Sequence, residues 1–83
     1  MRVELSPKAY KELSRLNNPV LGRIIKALDK LSEEPPQGDI KALAGRDGYR
    51  ARVGGYRILF QIAGDHIVVL SIGARGDVYK GGQ

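Results

Sequence analysis

The sequence has no cysteine and a single histidine, His66. Without cysteine there is no disulfide framework, no thiolate zinc site and no cysteine nucleophile. One histidine argues against a histidine-based metal site within the chain, so neither a metal nor another cofactor is expected. No apolar run approaches the roughly 20 residues of a membrane span, so no membrane partner is expected. The opening Met1-Arg2-Val3-Glu4-Leu5 places an acid where an export signal has its apolar core, which predicts a cytoplasmic protein. With 83 residues the chain has room for one small domain covering 1–83. Such a chain buries only about 60–65% of its unfolded surface, so modest stability without a partner is expected.

What the chain does have is positive charge, unevenly distributed. The formal net charge is +5 and the isoelectric point is about 9.8. Residues 1–45 carry eight basic and six acidic residues, well mixed. The remainder carries six basic and three acidic residues, and five of the six are arginines: Arg46, Arg50, Arg52, Arg57 and Arg75. The guanidinium is a flat, forked, permanently charged donor that matches phosphate oxygens. This bias points to a polyanionic partner.

Hydrophobic periodicity gives the elements. Residues 2–5 read as a short strand. Ser6-Pro7 is a helix start, a hydroxyl N-cap followed by proline at the first helical position. Ala9, Tyr10, Leu13 and Leu16 then form an apolar stripe opposite Lys8, Lys11, Glu12 and Arg15. Asn18-Pro19 repeats the start signal, and Val20, Leu21, Ile24, Ile25, Leu28 and Leu31 form the second stripe. Residues 33–38 close that helix as a loop. A short turn between the helices predicts a helical hairpin.

The second half changes to period two. Tyr49, Ala51 and Val53 alternate with Arg50 and Arg52, and Gly54-Gly55 is a two-residue hairpin turn. Tyr56, Ile58, Phe60 and Ile62 alternate with Arg57, Leu59 and Gln61. Gly64-Asp65 marks a second turn, and His66 to Ile72 is nearly all apolar, which predicts a central strand buried on both faces. Residues 73–83 read as a tail. The expected fold is α+β, in the order β-α-α-β-β-β, with the helical hairpin on one face of a small, mainly antiparallel sheet.

A two-residue turn at Gly54-Gly55 pairs Val53 with Tyr56, Arg52 with Arg57 and Arg50 with Leu59. One face then carries Tyr49, Ala51, Val53, Tyr56, Ile58, Phe60 and Ile62, and the other carries Arg50, Arg52 and Arg57. Like charges directly opposite one another are destabilising, whereas a phosphate ligand would cancel the repulsion. A solvated face of splayed arginines is the competing reading for any one of them. Three on one face favour a binding role. The second turn leaves the third strand with two registers, one setting Arg57 opposite Ile72 and the other setting it opposite Ser71.

The run Tyr49-Arg50-Ala51-Arg52-Val53-Gly54-Gly55-Tyr56-Arg57-Ile58-Leu59-Phe60 resembles the signature of RelE-type toxins of the RelE/ParE toxin–antitoxin superfamily. The ending Ile72-Gly73-Ala74-Arg75-Gly76-Asp77-Val78-Tyr79 and the opening Leu5-Ser6-Pro7-Lys8-Ala9 resemble the same family. The resemblance implies a type II toxin that enters the ribosomal A site, contacts ribosomal RNA, cuts mRNA there and so inhibits translation. It implies a cognate RelB-like antitoxin, and operator DNA bound only through that antitoxin. Carried over by position, the family's set falls on Arg50, Arg52, Arg57, Arg75 and Tyr79; Arg57, Arg75 and Tyr79 are the expected catalytic residues, and Arg50 and Arg52, together with Arg46, are the expected RNA-binding ones. RNA supplies its own nucleophile, the 2′-hydroxyl, so a metal-independent endoribonuclease is implied, yielding a 2′,3′-cyclic phosphate and a 5′-hydroxyl. Arg57 and Arg75 would clamp the scissile phosphate, and Tyr79 would stack on a base or bond near the reacting oxygens.

The chain departs from the family pattern at three places. Ala74 stands where many relatives have His or Lys, and Arg50 and Arg52 stand where some relatives have lysines. Arginine is a poor general base because its pKa exceeds about 12. The arginine face therefore lacks an evident base: His66 belongs to the far turn, and Tyr79 and Asp77 are the other candidates. Two alternatives follow, a ParE-like toxin that poisons gyrase, and a degenerate toxin that acts as an antitoxin-bound co-repressor. The terminal Gly81-Gly82-Gln83 matches the tripeptide of peptide release factors, and with no loop to position it we read it as coincidence.

Overall fold

Residues 1–74 are described by a computed structural model. The chain opens with β1 (Arg2–Leu5), in which Val3 and Leu5 turn inward and Arg2 and Glu4 outward. Helix α1 (Pro7–Ser14) starts where the sequence places a cap. The Ser6 Oγ accepts from the Ala9 N–H at 3.0 Å, and Pro7 occupies the first turn, where a missing N–H costs nothing. Ser6 also anchors the helix to the sheet, donating from its hydroxyl to the Leu70 carbonyl at 3.0 Å and from its N–H to the Val69 carbonyl at 2.8 Å. Helix α2 (Val20–Leu31) has Pro19 at its N-cap, and the residue before that, Asn18, reaches into the first turn. The Asn18 Oδ1 accepts from the Gly22 N–H at 3.1 Å.

Four further strands follow: β2 (Asp39–Ala42), β3 (Tyr49–Val53), β4 (Tyr56–Ala63) and β5 (His66–Ala74). The sheet order is β1-β5-β4-β3-β2, with β1 parallel to β5 and every other pair antiparallel. The α+β class, the helical pair on one face and the Arg52–Arg57 register are as expected from sequence. Gly54 (φ +59°) and Gly64 (φ +63°) open the two hairpin turns in the left-handed region, which glycine adopts without strain.

Three features differ from the sequence reading. First, β2 is an additional edge strand, formed by residues with almost no period-two signal. Second, Gly73 and Ala74 extend β5 rather than beginning a tail, and β5 is central without being buried on both sides. Its inward residues Ile67, Val69 and Ile72 are fully buried, while His66, Val68 and Leu70 are half-buried, because the helices cover only one face. Third, neither expected register of β5 holds. The turn has two residues, but a β-bulge intervenes: Phe60 pairs with Val69 and Leu59 with Ser71, so Leu70 is the extra residue and Arg57 faces Gly73. Without the bulge, strict alternation would turn Ser71 and Gly73 into the core. With it, Ile72 joins Ile67 and Val69 there.

The core is Ile24 and Leu31 from α2, Ala9 from α1, and Ala51, Ile58, Phe60, Ile67, Val69 and Ile72 from the sheet. Tyr49 stacks on Phe60 with ring centroids 5.6 Å apart. Three residues expected in the apolar stripes stay exposed: Tyr10 (65%), Ile25 (48%) and Ile62 (42%). The buried line of α1 runs through Ala9, Leu13 and Leu16, and Tyr10 lies about 100° round the helix from Ala9. Ile62 sits near the end of β4, beside the Gly64-Asp65 turn.

Glu12 has a role its surface-like spacing hides. β1 stops pairing at Leu5–Val69, so among the described residues no strand lies beside that edge of β5 beyond this point. Helix α1 runs past this edge, and Glu12 Oε1 accepts from the Ser71 hydroxyl at 3.0 Å and from the Ile72 N–H at 2.9 Å. Replacing Glu12 with alanine would leave two part-buried donors without this acceptor, a loss of about 2 kcal/mol. Ser6→Ala removes a cap and a helix–sheet tie, costing about 1–2 kcal/mol. Urea denaturation of each variant measures both, and a change below about 0.5 kcal/mol would contradict the assignment concerned.

Candidate nucleic-acid interface

The sheet face away from the helices collects the charge. Arg50 and Arg52 alternate along β3 with Ala51, which points into the core, so both guanidiniums project to the opposite side. Arg57 on β4 is paired with Arg52 and so joins them. The added strand β2 then contributes two residues that sequence reasoning missed, Asp39 opposite Arg52 and Lys41 opposite Arg50.

Asp39 changes the electrostatics. Its Oδ2 accepts from Arg52 Nε at 2.8 Å, its Oδ1 lies 3.5 Å from Arg50 Nη1, and its backbone carbonyl accepts from the same Nη1 at 3.1 Å. The repulsion inferred between Arg52 and Arg57 is therefore relieved on the Arg52 side by a carboxylate. The Arg52 hydrogen bond, followed by the charges of Arg52 and Arg50, holds the Asp39 carboxyl below its ordinary value. Arg50 is the more enclosed of the two, with a side chain 13% exposed against 53% for Arg52. Its stem lies in the row occupied by its neighbour Leu59, which is buried although it belongs to this outer face.

Four cations surround one depression of about 440 Å³: Lys41, Arg46, Arg50 and Arg57, with Ala42, Leu43 and Ala44 between them. Of the residues expected to bind RNA or act in catalysis, the structure thus brings together Arg46, Arg50 and Arg57. It sets Arg52 apart. Arg52 borders a different depression of about 280 Å³, whose other cations are Arg23, Lys26 and Lys30 on α2. Gly73 faces Arg57 across the strands, so no side chain crowds the guanidinium from that position.

Other expected residues have plain locations. Arg75, Asp77, Tyr79 and the terminal Gly81-Gly82-Gln83 lie outside the described residues. Ala74 pairs with Tyr56 and shares the face of Ile58 and Ile72, pointing away from the arginine side. His66 is in the far turn, as the sequence indicates. Its Nδ1 lies 2.8 Å from Asp65 Oδ1 and its Nε2 3.5 Å from Glu4 Oε2 and 3.3 Å from Arg2 Nη1. Among the described residues no helix is long and apolar enough to cross a membrane.

The lowered Asp39 pKa has a testable sign. A carboxyl whose folded pKa is depressed adds stability above its unfolded pKa, about 3.9, and loses it as pH falls through the folded value. Asp39→Asn is expected to be less stable than the parent at pH 6, with the difference vanishing in acid below the folded pKa. Thermal melts of both proteins from pH 6 down to pH 2 check this. A constant difference across that range would show that the ion pairs contribute nothing.

Comparisons with known proteins bear on the whole chain. A family model described as the ParE toxin of the type II toxin–antitoxin system parDE matches residues 3–79. None of the curated proteins compared with the chain matches it. Among solved structures, it is similar to the archaeal RelE of the RelE–RelB complex from Pyrococcus horikoshii. That relative is 30% identical with a TM-score of 0.75, over 90% of this chain and 94% of the other. It is also similar to a chain of the RelB–RelE antitoxin–toxin complex from Methanococcus jannaschii, 25% identical with a TM-score of 0.76, over 93% and 95%. The isolated RelE toxin of Escherichia coli is 26% identical with a TM-score of 0.75, over 98% of this chain and 93% of the other. With the family model spanning residues 3–79 and RelE structures matching 90% or more of the chain, the chain belongs to the RelE/ParE superfamily of type II toxin–antitoxin toxins.

Proposed function

We propose that this toxin is a ribosome-dependent endoribonuclease that cuts mRNA in the A site and so arrests translation. The observation that carries the reading is the depression in which Lys41, Arg46, Arg50 and Arg57 converge. In-line attack by a 2′-hydroxyl needs a held phosphate and preorganised positive charge where negative charge develops on phosphorus. Arg57 and Arg50 supply forked, permanently charged donors on strands rather than loops. Arg46 and Arg52 hold neighbouring phosphates of the message or of ribosomal RNA. By family position, Arg75 completes the phosphate clamp and Tyr79 supports the reacting nucleotide. The products are a 2′,3′-cyclic phosphate and a 5′-hydroxyl.

A cytoplasmic cognate antitoxin of the RelB kind is part of the proposal, supported by relatives crystallised as RelB–RelE complexes. Tyr10 and Ile25, exposed on the helices, offer apolar surface for it to cover, and operator DNA is reached only through it. A second reading, a toxin that poisons gyrase, is favoured by the ParE description of the matching family model. It does not call on the convergence of the four cations for any chemistry of the toxin's own.

Translation extracts separate the two readings. The parent protein is expected to stop protein synthesis without inhibiting DNA supercoiling by gyrase. Arg57→Ala should lower the inhibitory potency about 100- to 1,000-fold, the usual effect of removing one preorganised donor, with an unchanged circular dichroism spectrum. Gyrase inhibition by a protein that leaves translation intact would establish the second reading instead.

A further inference from the structure

Cleavage by a 2′-hydroxyl moves two protons. One leaves the 2′-oxygen as it attacks phosphorus, and one must reach the 5′-oxygen as the P–O5′ bond breaks. Arginine is ill-suited to the second step, because the guanidinium holds its proton too tightly to give it up readily. Arg46, Arg50 and Arg57 can hold and neutralise a phosphate, but they do not protonate a leaving group. Ala42, Leu43 and Ala44 have nothing to give.

Lys41 is different in kind. Among the described residues lining this depression it alone carries a proton it can release. The β2–β3 register sets it opposite Arg50, on the face that also carries Arg57. It is exposed, and no ion pair among the described residues engages its ammonium. Asp39, two positions earlier on the same face, is ruled out as a donor. Its carboxylate is committed to Arg52 and Arg50.

We infer that Lys41 is the general acid of this site, giving its proton to the 5′-oxygen of an RNA phosphodiester held by Arg50 and Arg57. The inference rests on the ribonuclease reading above. The 2′-hydroxyl releases its proton to solvent, the O2′–P bond forms, and the P–O5′ bond breaks with its electron pair on O5′. Lys41 protonates that oxygen, and the neutral amine takes a proton back from water. The lysine stands on a strand neighbouring the one that bears Arg50 and Arg52, so a sequence read only along the arginine hairpin lacks it.

Sulfur substitution tests the role directly. A thiolate leaves without being protonated, so a 5′-bridging sulfur at the cleaved linkage removes the need for an acid. Single-turnover cleavage on programmed ribosomes would compare the parent, Lys41→Arg and Lys41→Ala, each on ordinary and sulfur-bridged mRNA. Both variants are expected to cut the ordinary linkage about 10²- to 10⁴-fold more slowly, and the sulfur-bridged linkage near the parental rate. Parental activity of Lys41→Arg on ordinary RNA would overturn the proposal, because charge alone would then suffice. Equal slowing on both linkages would overturn it as well, by making Lys41 a phosphate-binding residue. If the parent cuts neither message, the ribonuclease reading fails first and the inference falls with it.

Discussion

Like charge crowded onto one face of a small sheet is the constraint on which the rest of this structure depends. Lys41, Arg50, Arg52 and Arg57 occupy neighbouring positions on three adjacent strands. Two such charges 4 Å apart repel by about 1 kcal/mol in water and by about 4 kcal/mol at a protein-like dielectric. One carboxylate, Asp39, offsets part of this, and it does so for Arg52 and Arg50 rather than for Lys41. The opposite face of the sheet must therefore supply the stability, which it does with a core of aliphatic residues, Phe60 and two helices. A phosphate entering the depression would place further negative charge among these cations.

The geometry of the site also depends on how β5 is paired and braced. The bulge at Leu70 sends Ile72 inward and brings Gly73 opposite Arg57. Glu12 then fixes the stretch beyond the reach of β1, by accepting from Ser71 and Ile72. Ser6 ties the start of the same helix to Val69 and Leu70. Four hydrogen bonds from α1 and the residue before it thus hold the strand behind the arginine, and the guanidinium is presented on a braced strand rather than on a loop.

Much of this was legible from the residues alone. Ser6-Pro7 and Asn18-Pro19 mark the helix starts because caps act locally. Gly54-Gly55 fixes the Arg52–Arg57 pairing because a two-residue turn leaves one register. The bulge was not legible: a continuous apolar run reads the same with or without an extra residue, and only the packing of Ile72 against the helices decides. Strand β2 was hidden because Asp39-Ile40-Lys41-Ala42 is short and sits after a loop rich in proline and glycine. That omission mattered most, since it concealed both the carboxylate that tempers the arginines and the lysine beside them. Tyr10 and Ile25 misled because a helical stripe read from spacing alone is wider than the surface a small sheet covers.

The central claim is that the basic depression binds and cleaves message on the ribosome. Primer extension on a defined mRNA tests it most directly, using purified protein, ribosomes with an empty A site and a ribosome-free control. Cuts within A-site codons are expected only when ribosomes are present. An intact message at high protein concentration, with ribosomes correctly programmed, would contradict it.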